Sequence, residues 1–164
     1  SSECITQVID SVLYNVGLGQ ITSLALDDSD APHIAYYDGE SLDLKYAAWD
    51  GTGWVIETVD SSGDVGKYAS LVLDSSGSPH ISYYDADNQA IKSAHRLGTG
   101  WQTNLVEVGV GGGDVTSLAI DTDDRLHLSY YYYNSSTDRA LRYAYVDTVL
   151  YEEYSVYLPL VIKD

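Results

Sequence analysis

The chain has no methionine, no phenylalanine, three prolines and a single cysteine. One thiol excludes an intrachain disulfide and any cysteine-based metal cluster. Cys4 is read either as an inert thiol or as half of a bond to another chain, which an oxidising compartment permits. The lack of methionine is expected of a mature product after signal-peptide removal, or of an excised fragment. Positive charge is also scarce: 8 Lys and Arg stand against 25 Asp and Glu, a net charge of −17. Phosphate backbones are gripped by basic patches, so nucleic-acid partners are excluded. No stretch approaches the ~20 apolar residues of a membrane span.

What is present points to sheet. Among the acids, 19 are Asp and only 6 Glu, and Asp favours turns over helix interiors. Tyr occurs 16 times, and Tyr and β-branched residues suit pleated, half-wet surfaces. A length of 164 residues fits one compact domain, burying roughly two-thirds of the unfolded surface.

The order of residues is periodic. Ser23-Leu24 recurs as Ser70-Leu71 and Ser117-Leu118, a step of 47 each time. Asp27, Asp74 and Asp121 keep that step, as do His33, His80 and His127, and Trp54 returns as Trp101. Tyr36-Tyr37 becomes Tyr83-Tyr84 and Tyr130-Tyr131, after which the third copy gains three residues around Asn134. Such a period marks one supersecondary unit stacked on its neighbours. Each unit reads as four short strands. In the first, Leu24 and Leu26 share one face while small Ser23 and Ala25 share the other, as closely packed sheets require. Asp27-Asp28-Ser29-Asp30 is turn chemistry, Pro32 enters the second strand at its edge, and Gly51-Thr52-Gly53 turns the chain into the fourth.

Four strands per 47 residues with no helical period predict an all-β fold of propeller blades, each a four-stranded antiparallel sheet. The expected layout is an N-terminal outer strand and linker over 1–20, blades over 21–67, 68–114 and 115–158, and a tail over 159–164. The motifs Asp74–Asp85 (Asp-x-x-Gly-x-Pro-His-Ile-x-Tyr-Tyr-Asp) and Asp50–Trp54 (Asp-Gly-Thr-Gly-Trp) resemble those of bacterial extracellular β-propellers, the broad group that includes sialidase-like repeat proteins. The resemblance spans Ile21 to Tyr157 and implies a secreted or cell-surface location. A true Asp-box is absent, since Trp54 falls one residue early, and none of Arg96, Arg125, Arg139 and Arg142 sits in a motif like the sialidase arginine triad.

Propellers close with typically 4–8 blades, so three are expected to seek company. Two copies make a closed ring of six. Cys4–Asp10 aligns with Trp54–Asp60, an outer strand without a blade of its own, while Tyr151–Tyr157 is a second candidate for the last blade. A surplus strand donated beyond the ring gives a filament instead. Assembly is therefore assigned to Cys4, Ile5, Val8, Ile9, Tyr154, Val156 and Leu158.

The remaining candidates are weighed by symmetry. His33, His80, His127, Trp54 and Trp101 repeat across units, which fits structural roles, bonding backbone or packing between blades, better than a single active site. Asp27, Asp30, Asp121 and Asp123 cluster oxygens of the kind Ca²⁺ takes, without an EF-hand or glycine-rich calcium repeat, and read first as solvated turns. Tyr132 and Tyr133 replace the pattern of the other copies and are either ligand contacts or packing under the enlarged loop; Asn134 heads a glycosylation triplet. No cofactor and no catalytic group is assigned. The expected function is a non-catalytic, self-associating propeller with a structural or adhesive role. The alternatives are a carbohydrate-binding, lectin-like propeller and a sialidase-like glycoside hydrolase, for which no motif selects the required carboxylate pair.

Overall fold

The computed structural model describes residues 5–11, 22–111 and 115–146. Alternating side chains and Asp- or Gly-bearing turns shape these into strands, with no helix among the described residues. The first sheet holds β1 (Thr22–Leu26), β2 (Pro32–Asp38), β3 (Asp43–Trp49) and β4 (Trp54–Asp60). A second contains β5 (Val65–Leu73), β6 (Pro79–Asp85), β7 (Ala90–Leu97) and β8 (Gly100–Val108). The third consists of β9 (Thr116–Ile120), β10 (Leu126–Ser135) and β11 (Asp138–Val146). Strands pair antiparallel in chain order within each sheet, giving two four-stranded blades and three strands of a third. The fourth strand expected there, Tyr151–Tyr157, lies outside the described residues.

The turns repeat as faithfully as the strands. Asp30, Gly77 and Asp124 close the first hairpin of each blade with φ of 62°, 78° and 58°. In each, the leading Asp accepts backbone N–H groups from its own turn, Ala31 N–H to Asp27, Ser78 N–H to Asp74 and Arg125 N–H to Asp121. The second blade begins earlier than its repeat boundary suggests. β5 starts at Val65 because Gly66, at φ +104°, lets the link cross the first blade. A Cβ there would stand 2.7 Å from the Leu44 Cα, a place only glycine fills.

The core lies between sheets, in two seams. The first joins blades one and two through Ala35, Leu44, Tyr46 and Val59 against Leu71, Ile81, Tyr83 and Ala94. The second joins blades two and three through Tyr84, Ile91 and Val110 against Leu118, Leu128, Tyr130 and Ala144. In each seam the earlier blade offers a serine from its first strand, Ser23 or Ser70, and the later blade sets a leucine, Leu71 or Leu118, over it. Burying each such Leu or Ile stabilises by about 1.5–3 kcal/mol relative to exposure, so the seams, not the sheets alone, hold the molecule together.

Candidate functional site

The seams are built from two contacts that recur in both and a third seen in the first. Ser23 Oγ accepts the N–H of Leu71 at 2.9 Å, and Ser70 Oγ accepts that of Leu118 at 3.0 Å. Near one end, an acid closing one outer strand clasps the next blade. Asp60 takes the Tyr83 hydroxyl at 2.7 Å and Lys92 Nζ at 2.5 Å; Glu107 takes the Tyr130 hydroxyl at 2.5 Å and pairs with Arg142. Near the other end, Trp101 Nε1 donates to Glu57 at 2.9 Å and its ring meets Tyr46 edge-on at 5.1 Å. Burial pushes Asp60 upward, but Lys92, Ser62 and Tyr83 outweigh it and hold the carboxyl at about 2.

A third clasp stands outside any seam. Asp10 accepts the Tyr36 hydroxyl at 2.6 Å, as Asp60 does from Tyr83 one repeat later. Residues 5–11 thus lie where the outer strand of a preceding blade would end, yet they form no strand, with Ile5 91 % and Val8 78 % exposed. Lys45, the counterpart of Lys92, donates instead to Thr58 at 2.9 Å. Of the residues assigned to assembly, Ile9 is half-buried, and Cys4, Tyr154, Val156 and Leu158 lie outside the described residues.

Among the described residues, both outer flanks present exposed leucines. Leu24 is 62 % exposed although its counterparts Leu71 and Leu118 are 5 % and 9 %. On the opposite flank Leu141 is 82 % exposed, whereas Leu44 and Ile91 at the same repeat position are fully buried. Tyr143 beside it is half-exposed, and its hydroxyl meets His127 Nδ1 at 2.7 Å, the same partnership that Tyr46 makes with His33. Trp54 Nε1 is buried without a hydrogen-bond partner among the described residues, although the equivalent Trp101 has Glu57.

The repeated histidines serve their own blades. His80 and His127 reach the turn carboxylates Asp74 and Asp121 at 3.0 and 3.1 Å, and His33 lies 3.6 Å from Asp27. They brace turns with a carboxylate rather than with backbone. Asp27 and Asp121 are thereby occupied, Asp123 pairs with Arg125 at 3.0 Å, and Asp30 closes its turn. Among the described residues no three His, Cys, Asp or Glu side chains group to hold a metal. Tyr132 is 8 % exposed, packs into the second seam and carries Arg142 over its ring at 3.7 Å, so its face is not offered to a ligand. Tyr133 is half-buried, stacked beside Tyr131 with Arg139 at 4.9 Å. Asn134 is exposed on the β10–β11 hairpin.

An open cleft of about 610 Å³ lies at the hairpin end of the first blade, between Trp49 and Pro32, with Asp27, Asp30 and Asp50 at its rim. Backbone N–H groups hold Asp27 and Asp50 below the usual carboxylate range, so the rim accepts hydrogen bonds rather than donating protons. Sequence reasoning passed over this cleft, because Trp49 has no counterpart in the other repeats: Arg96 stands at that place in the second. It also passed over the clasp acids, although the alignment of Asp10, Asp60 and Glu107 was visible.

No protein-family model and no curated protein matches the chain. Among solved structures, it is similar to a fucose lectin from Kordia zhangzhouensis in complex with methyl-fucoside, with a TM-score of 0.54 and 21 % identity over 87 % of this chain and 96 % of that one. It is also similar to a bifunctional GH43-CE protein of Bacteroides eggerthii, with a TM-score of 0.52 and 9 % identity over 87 % of this chain and 19 % of that one. At these identities the likeness establishes a β-propeller-like fold.

Proposed function

We propose that the chain is a non-catalytic propeller subunit, secreted or displayed at a cell surface, that works as an assembly of its own copies in a structural or adhesive role. One observation carries this reading: Leu24 and Leu141 are exposed at positions that every internal seam buries. A monomer that left both flanks wet would forgo the stabilisation that its two internal seams supply. Six is the only multiple of three among the usual blade numbers, which favours a pair of chains. Light scattering behind gel filtration tests it; the expected mass is twice 17.9 kDa, and a stable monomer at micromolar concentration refutes it.

Carbohydrate binding is the second reading, and two observations favour it. The chain matches nearly the whole length of a lectin, and the Trp49 cleft joins an aromatic face to ionised acceptors, the pairing that suits a sugar ring and its hydroxyls. A glycan array that includes fucosides tests it, with binding expected to vanish in Trp49→Ala. Glycoside cleavage needs a carboxyl held protonated as general acid. Asp27 and Asp50 at the rim of this cleft are both held the other way, so neither is set up as that acid, which favours reading the cleft as a binding surface.

A further inference from the structure

Resting on the self-association reading, we infer that a second copy docks its third blade against the first blade of this chain, and that residues 5–10 of this chain become the fourth strand on β11 of that copy. The contact is a third edition of the internal seam, and each of its parts is already in place. Tyr143 and Trp54 correspond by repeat position to Tyr46 and Trp101, which meet edge-on in the first seam. Leu141 corresponds to Leu44, and Leu24 to the Leu71 packed with it. Ser117, exposed on the third blade, corresponds to Ser23 and Ser70, and the N–H of Leu24 corresponds to the two that those serines receive.

The donated strand follows from the Asp10–Tyr36 bond. Each clasp acid inside the molecule belongs to the outer strand of the blade before the tyrosine it holds. Asp10 holds Tyr36, so the strand it ends belongs to whatever blade precedes the first. In a two-chain ring that blade is the partner's third. The internal registers Tyr46↔Glu57 and Ala47↔Ile56, with Ser93↔Asn104 and Ala94↔Thr103, place Gln7 opposite Tyr143 and Thr6 opposite Ala144 across the two chains. Gln7 then occupies the place of Glu57, which supplies the acceptor that the buried Trp54 Nε1 lacks. The pairing is head to tail, and the two flanks of each chain are used once each.

Two experiments on the full chain decide it. In a Cys4→Ser background, the double variant Thr6→Cys, Ala144→Cys is expected to oxidise to a covalent pair of chains running at twice the monomer mass on non-reducing gels, whereas either single cysteine stays monomeric there. A paired wild type whose double variant gives only intrachain bonds or none, as when Tyr151–Tyr157 already covers β11, overturns the strand exchange and leaves self-association standing. A monomeric wild type overturns both. Second, Leu24→Asp and Leu141→Asp change residues exposed in the subunit, so each variant is expected to fold and to lose the paired mass. Mixed in equal amounts, they regain it, because one seam of the ring is then free of both substitutions. Failure to regain it, or loss of pairing from only one of the two, refutes the head-to-tail contact.

Discussion

Replacing Asp60 by Asn removes the charge at the centre of the first clasp while keeping its shape. Asp60 is 8 % exposed, and its carboxylate takes bonds from Tyr83, Lys92 and the Ser62 hydroxyl at 2.7, 2.5 and 2.6 Å. Hydrogen bonds to a charged group contribute about 1.5–3 kcal/mol, and stranding a buried partner costs about 3–5 kcal/mol. Lys92 is only partly stranded, since Asp85 lies 3.7 Å away, so Asp60→Asn should cost about 2–3 kcal/mol at neutral pH. Urea unfolding followed by tryptophan fluorescence reads this as a lowered midpoint with unchanged slope. The dependence on acid supplies a second arm. The Asp60 carboxyl, held at about 2 against an ordinary 3.8, contributes stability that is complete above 3.8 and is lost as pH falls towards 2. The gap between wild type and variant should therefore narrow below 3.8. A gap within about 0.5 kcal/mol at neutral pH, or one that acid leaves unchanged, refutes the clasp as a stabilising element.

Leu71→Ala should destabilise the chain by about 2–5 kcal/mol, whereas Leu24→Ala should spare the subunit's own unfolding and weaken only the paired state. Comparing chemical denaturation with the concentration at which pairs dissociate separates the two. Gly66→Ala forces a Cβ against the Leu44 backbone and should cost at least as much as a core cavity, read as a drop in melting temperature of several degrees. Each chain carries −17, so pairing should strengthen as salt rises from 0.01 to 0.15 M, visible in sedimentation velocity; weakening with salt would contradict an apolar seam.

Most of the fold was legible because the repeat writes it three times. Large Leu24 opposite small Ser23 announces sheets packed on both faces, and the turn residues set every hairpin. The site was less legible for reasons of three-dimensional placement. Two-residue periodicity already puts Tyr132 on the face of Tyr130, pointing into the seam, but the Asp at the same place in the other blades disguised it. Asp38 and Asp85 spend their carboxylates on their own hairpins, through Glu40 and Asn88. In the third blade the enlarged hairpin needs no such acid, and an aromatic fills the space. The early start of β5 was hidden because Gly66 and Tyr68 both take positive φ, a conformation that no spacing rule reveals. The clasp acids close strands whose neighbours in space are a blade away, which a reading of one strand at a time does not reach.

The serine-to-leucine ordering of the seams gives the array a polarity, like links that fit in one sense only. Whatever covers the first blade must bring an acceptor such as a serine to the Leu24 N–H, and whatever covers the last must bring a backbone N–H to Ser117.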